Sequence, residues 1–330
     1  MTIVKKLLSF HQVKAGDSTG YNNCKKFPNI FLYWINAIMP INFKFMEEVY
    51  IACDNKDINS LISIKPINHN NKRFEIVKFY LDNDSNNSGK LLMDFVVSKF
   101  AAKGVISFTA YVDENKIDVI NLFSNNCSFR NFSSHQFFKI GKENIDDNLS
   151  FDDIYIEKSK NITAKNVAQL YNESIQPYFR LPLEKSQNEF KNSIFNIFLN
   201  NTFVFNIYNK NNNELCGFIR LLTYDNLNYI MDMTLINPFC HNFRSILTFC
   251  YNFLNNKFKN FNLIFKNKKY QINSNIFEDF FKENKINMVY REIVLVKDYF
   301  NYIKKNNEAQ IQNSRIIFFN DINQNPAFYI

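Results

Sequence analysis

The chain predicts an α+β fold made twice over, each copy a mixed, mostly antiparallel sheet flanked by helices. Three observations carry this. Within each half, short runs of alternating apolar residues come first and helical spacings come later. Landmarks also recur at a separation of roughly 156 residues in a chain of 330. Asn59-Ser60-Leu61-Ile62-Ser63-Ile64 answers Cys216-Gly217-Phe218-Ile219-Arg220-Leu221, Leu91-Leu92 answers Ile246-Leu247, and Lys103-Gly104-Val105-Ile106 answers Lys259-Asn260-Phe261-Asn262. Finally, a composition 46% hydrophobic and 21% charged suits a packed chain rather than a disordered one, with 37 Phe as the main core residue.

In order, residues 4–14 read as a strand, and the apolar segment from Asn29 to Ile38 as a helix ended near Pro40. Strands follow at 48–52, 59–65 and 74–81, the last two joined by a hairpin. Residues 82–87 are a polar loop. Ser88-Gly89 then opens a helix carrying Leu91, Leu92, Phe95, Val96 and Phe100, which Gly104 closes. A strand over 105–112, a helix over 115–126 and a strand over 137–140 complete the first half. The second half repeats the order. A strand over 151–158 precedes a helix from Thr163, the expected cap, to Ser174, and another helix covers 184–199. Strands at 202–208, 214–223 and 228–236, a helix from Arg244 to Phe258, a strand at 261–266, a helix at 273–284 and a strand at 288–296 follow. The expected domains are therefore 1–148 and 149–305, with a loosely held tail over 306–330.

Several function classes fall early. The six glycines are too scattered for a GxGxxG dinucleotide loop or a P-loop. The six cysteines form no CxxC pair, and none of the four histidines has a neighbour at metal-ligand spacing, so no metal is expected. No signal peptide is visible at Met1, and no apolar run approaches the roughly 20 residues a bilayer requires. The expected setting is the cytoplasm with reduced thiols and no membrane partner. The net charge of +8 is spread along the chain, apart from Lys266, Lys268, Lys269 and the pair Lys304-Lys305. That surface suits nucleic acid or a phosphorylated cofactor equally, and an ordinary solvated surface better than either.

A meander, then a strand, polar loop, helix, strand, helix and last strand resembles the Gcn5-related N-acetyltransferases (GNAT). Glu75-Ile76-Val77-Lys78-Phe79-Tyr80-Leu81 is similar to that family's central fourth strand, and Cys216-Gly217-Phe218-Ile219 to its third. Leu122-Phe123-Ser124-Asn125-Asn126-Cys127-Ser128-Phe129 is similar to the late helix and its turn. The resemblance covers each half once and implies a tandem GNAT protein that moves an acetyl group from acetyl-CoA, as co-substrate, to an amine. The family's Gln/Arg-x-x-Gly-x-Gly/Ala loop is degraded here. Its place is taken by Asn83-Asp84-Ser85-Asn86-Asn87-Ser88-Gly89-Lys90 in the first half and by Pro238-Phe239-Cys240-His241-Asn242-Phe243-Arg244-Ser245 in the second.

A helix start offers free N–H groups and a positive dipole end to a pyrophosphate, and small residues allow a close approach. With the resemblance, this makes Tyr80, Leu81, Asn83, Asn86, Asn87, Ser88, Gly89 and Lys90 the expected cofactor residues. In the second half Phe239 and Phe243 are expected to fill the groove, which reads as a degenerate domain. Acyl transfer needs a group that takes a proton from the amine. Glu75 is the first candidate, with Glu48 as an alternative, and Ser124 occupies the place where the family commonly has a tyrosine. The expected partner is a small-molecule or peptide amine. Two other readings stay open: a catalytically inactive GNAT pair acting as a binding or scaffold module, and a GNAT-like transferase using aminoacyl-tRNA.

Overall fold

Strands from both halves alternate at the centre of one sheet. The computed structural model describes residues 2–6, 48–54, 57–67, 70–81, 86–145, 151–191 and 202–299. The expected helix over 29–38, Trp34 within it, Asn83, the join at 148/149 and the tail over 306–330 lie outside the described residues.

The first half contributes β1 (Thr2–Lys6), β2 (Glu48–Asp54), β3 (Asp57–Ile67), β4 (Asn70–Leu81), β5 (Ser107–Asp113) and β6 (Arg130–Ile140). The second contributes β7 (Ile154–Lys158), β8 (Thr202–Asn209), β9 (Leu215–Thr223), β10 (Asn228–Leu235), β11 (Asn262–Lys268) and β12 (Met288–Asp298). They form a 12-stranded sheet in the order β1-β2-β3-β4-β5-β12-β6-β11-β10-β9-β8-β7. This order is a palindrome about the β12–β6 pair. The last strand of the second half lies between β5 and β6 of the first, and β6 lies between β11 and β12 of the second. Each half thus lends the other one central strand. The expected strand over 137–140 starts earlier, at Arg130, because its ladder to β12 runs from Arg130 to Phe138.

Helices lie on both faces. One face carries α1 (Asn86–Ala101), α5 (Phe243–Asn255) and α6 (Ser274–Glu283). Helix α1 buries Leu92, Met93, Val96, Val97 and Phe100 against Tyr50, Ile62, Ile64, Phe79 and Phe108, and leaves Leu91 and Phe95 exposed. It starts at Asn86, two residues before the expected Ser88. It stops where expected: Gly104 takes φ +86°, and Val105 N–H closes on the Phe100 carbonyl. Helix α5 buries Ile246, Leu247, Cys250 and Leu254, an i, i+1, i+4, i+8 stripe, into the matching core of the second half.

The opposite face carries α3 (Ala164–Ser174) and the short α4 (Arg180–Leu183), packed on Val204, Phe218, Val294 and Val296. Thr163 precedes α3 but does not cap it. Its hydroxyl donates to the Lys160 carbonyl and accepts from Asn206. The helix expected over 184–199 is absent from its described part. Chain after Leu183 is extended at Glu184 and then makes one 3₁₀ turn over Gln187–Glu189, where the Glu189 carboxylate accepts the Ser186 N–H at 2.9 Å. Asn172 holds the intervening Lys185 backbone from both sides, accepting its N–H at 2.8 Å and donating to its carbonyl at 2.9 Å. Those side-chain bonds compete with a helical path. Arg73 of β4 donates to the Leu181 and Glu184 carbonyls, tying the two halves together on this face.

Chain expressed as 1–148 alone lacks the strand that covers the facing edges of β5 and β6, and 149–330 alone lacks its counterpart. Neither half is expected to unfold cooperatively by itself in a denaturant titration followed by circular dichroism, whereas co-expressed halves should copurify and regain a single transition.

Candidate functional site

The first feature of the site is a fork. Strands β4 and β5 run parallel and pair only from Arg73–Ser107 to Ile76–Ala110. Beyond that, β4 continues to Leu81 and β5 to Asp113 without pairing to each other. The cause is local. Ser63 of β3 pairs with Lys78 and Ile64 with Ile76, so Val77 is an extra residue on β4. Such a bulge bends its strand, raises the local twist and takes the extra residue out of the ladder.

The second half has the equivalent fork between β10 and β11, paired from Asn228–Asn262 to Asp232–Lys266. It differs in two respects. Strand β10 keeps an unbroken register with β9 from Tyr229 to Leu235, so no bulge bends it. Polar side chains also staple it. Asn273 donates to the Leu235 carbonyl at 2.5 Å, and Gln271 bridges Thr234 and Ser174 at 3.0 and 3.1 Å. At the start of α5, Phe243 is buried among Phe265, Phe277, Phe280 and Phe281, while Arg244 donates to Asn284 and lies over the Phe280 ring.

A cavity of about 910 Å³ opens on the α3 face of the sheet. Both arms of the first fork line it, with Val77 and Lys78 on one side and Val112 and Asp113 on the other. Two rows of side chains form its floor. One row crosses four strands as Asp113, Glu292, His135 and Lys268. The other runs Phe137, Lys266, Asp232 and Arg220. The rows are two residues apart on β6 and β11, which puts them on one face.

The floor is charged; His135 and Lys268 are buried in it, while Asp232, Arg220 and Glu292 are partly exposed. Asp232 accepts from Lys268 Nζ at 2.5 Å through one oxygen and from Arg220 Nη2 at 2.9 Å through the other. Burial would raise the Asp232 carboxyl, but Lys268, Lys185, Arg220 and Lys266 outweigh it and hold the group well below the usual carboxylate range. Burial pulls Lys268 down to about 8 against the attraction of Asp232. His135 is 1% exposed, stacked on Tyr111 at 5.1 Å, and its Nδ1 lies 3.3 Å from the Glu292 carboxylate. Burial, reinforced by Lys266, lowers its pKa to about 3, so the ring is neutral at neutral pH. Nδ1–H then donates to Glu292 and leaves Nε2 bare, in agreement with the absence of any partner for that atom.

No sequence-family model and no curated protein matches the chain. Solved structures do. It is similar to a tandem GNAT protein from the clavulanic acid biosynthesis pathway at 9% identity, over 77% of this chain and 83% of that one, with a TM-score of 0.51. The chain has a tandem GNAT fold. A conserved protein of Enterococcus faecalis V583, described as a probable N-acyltransferase, is similar at 9% identity over 90% and 73%, again with a TM-score of 0.51.

Within the GNAT fold the residues expected from sequence separate. Glu75 lines the cavity one residue before the end of the β4–β5 pairing and forms a 3.3 Å ion pair with Lys65. Glu48 pairs with Ile64 of β3, which places it on the helix α1 face, where it accepts the Tyr50 hydroxyl at 2.6 Å. Ser124 sits in the π-helical turn Leu122–Asn126 that extends α2 (Ile117–Asn121), also apart from the cavity lining. Tyr80 and Leu81 end the part of β4 that lies beyond its pairing with β5 and stays paired with Leu61 and Ser60 of β3. Asn86, Asn87, Ser88, Gly89 and Lys90 form the start of α1, with Asn87 and Lys90 exposed and Ser88 buried. Gly89 is there for packing: a Cβ on it would meet Leu81 Cδ2 at 2.2 Å, with Leu122 and Phe79 at 3.3 Å. Burial pushes the Cys127 thiol up to about 11, consistent with a small buried hydrophobe.

His135, Glu292, Asp232 and Arg220 were not legible as site residues. Arg220 lies between Phe218 and Leu222 at alternate positions, and Glu292 between Tyr290 and Val294, so no local polar pattern marks either.

His135 should keep neutral-form ring resonances in NMR spectra from about pH 8 to about pH 5. Its folded pKa lies below its unfolded one, so the unfolded chain binds the extra proton and stability drops as pH falls from about 6.5 toward about 3. Asp232→Asn leaves Lys268 and Arg220 without their shared counter-ion and should cost about 3–5 kcal/mol in chemical denaturation.

Proposed function

We propose that this protein is an N-acyltransferase that moves an acetyl group from acetyl-CoA to a small-molecule or peptide amine at the β4–β5 fork of the first half. The second half is the non-catalytic wall of the acceptor cavity. One observation carries this reading. Both arms of the bulged first fork face the cavity, whereas the second fork lacks a bulge and is stapled by Asn273 and Gln271.

The chain fits such a donor. Helix α1 is 16 residues long, has no acidic residue in its first turn, and carries the exposed Asn87 and Lys90 near its start. Its free N–H groups and dipole would hold a pyrophosphate. The co-substrate supplies an activated acyl group. Val77, outside the ladder at the bulge, offers a backbone N–H to polarise a carbonyl between the arms. Glu75, on the cavity side, takes the proton that the attacking amine must lose, directly or through one water.

A second reading, an inactive pair used as a binding module, draws support from Leu81, Phe79 and Leu122 closing on Gly89. Acetyl-CoA separates the two. On the acyltransferase reading it raises the melting temperature, with about 2.7 kcal/mol of stabilisation at a hundred times Kd. Glu75→Gln then lowers kcat roughly 10²–10⁴-fold with little change in that thermal shift. No shift at millimolar acetyl-CoA, with the protein shown folded by circular dichroism, would sink the acyltransferase reading.

A further inference from the structure

The second-half end of the cavity holds more cations than carboxylates. Four cations lie there, Lys185, Arg220, Lys266 and Lys268. Asp232 sits among them, and Glu189 also acts on Lys185 and Arg220, though burial pushes its carboxyl up to about 7 and leaves it only partly charged near neutral pH. Asp225 lines the cavity too, but it is committed to the Leu227 and Asn228 N–H groups. Asp232 is already committed, one oxygen to Lys268 at 2.5 Å and the other to Arg220 at 2.9 Å. Among the described residues, Lys185 and Lys266 have no ion-pair partner within 4.0 Å. Their ammonium groups rest on aromatic faces, Lys185 over Tyr171 at 4.5 Å and Lys266 over Tyr111 and Phe137 at 5.5 Å. The Nε of Arg220 is buried without an acceptor.

This is a built arrangement rather than a solvated edge. Lys185 is fixed by the two-sided clamp from Asn172, and Lys266 by its place in the ladder opposite Phe137 and Asp232. Burial lowers the Lys185 pKa, so its charge is costly where it stands and a second anion beside it is stabilising. Arg220 and the lysines together present several N–H donors, the chemistry that recognises a carboxylate or a phosphate.

We infer that the second half holds an oxyanion on the acceptor, so that the substrate is an amine bearing a carboxylate or phosphate, seated against Lys185, Lys266 and Arg220. This rests on the acyltransferase reading for the amine end only. The amine belongs at the first fork, beside Glu75. Strand β4, which carries Glu75, and β11 are four strand spacings apart, about 19 Å, but the Lys266 ammonium reaches back over the Tyr111 ring of β5, so amine and anion should be separated by on the order of 10 Å.

The test is isothermal titration of the full chain with 8-aminooctanoate, 8-aminooctyl phosphate and octylamine. At least one of the two acids should bind tenfold or more tightly than octylamine, and the tighter acid identifies the preferred oxyanion. Lys185→Gln/Lys266→Gln, with its melting temperature checked, should weaken that acid at least tenfold and leave octylamine within about twofold. Octylamine binding as tightly as both acids overturns the inference, as does a folded double variant that binds the acid unchanged. Should the double variant not fold, the wild-type comparison decides alone. Acetyl-CoA is titrated separately: acid binding without acetyl-CoA binding defeats the acyltransferase reading and sustains this one, and the reverse result does the opposite.

Discussion

The β12–β6 pair is the constraint on which the rest of the structure depends. Strand β12 fills the gap between β5 and β6, and β6 fills the gap between β11 and β12. An exposed strand edge is a row of unmet backbone donors and acceptors, so neither half can close its sheet without the other. The exchange also decides where the cavity is. Its floor crosses β12 and β6, which brings Glu292 of the second half beside His135 of the first. The cavity therefore lies at the joint between the halves, lined by residues of both.

The two forks show how a duplicated architecture can divide labour. A single extra residue, Val77, bends β4 away from β5 and leaves its backbone outside the ladder. The second half has the same strand order without the bulge; Asn273 donates to the Leu235 backbone carbonyl and Gln271 to the Thr234 hydroxyl. Buried polar groups must be satisfied from somewhere. In the second fork these partners come from the protein's own Asn273 and Gln271. The stack of phenylalanines around Phe243 completes the difference by packing apolar rings at the start of α5, where α1 has Ser88 and Gly89.

Much of the fold was legible because it is written in local periodicities. Alternation marks the strands, the spacing of Leu92, Val96 and Phe100 marks α1, and Gly104 marks its end. Errors fell where side chains compete with the backbone. Ser186, Glu189 and Asn172 draw the chain out of the expected helix over 184–199, and Thr163 bonds backward to Lys160 instead of capping α3. The two candidate bases, Glu75 and Glu48, looked alike in sequence. Their registers against β3 put them on opposite faces of the sheet.

The sequence by itself determined the elements, their order and their repetition, because hydrophobic spacing and turn chemistry act over a few residues. Only the tertiary structure decided which strand lies beside which, and with that which charges meet. Glu292 and His135 are 157 positions apart, and Asp232 and Lys268 are 36 apart. No local pattern encodes pairings at such a distance. They follow from the strand exchange and from a bulge of one residue, both of which are set by packing the whole sheet at once.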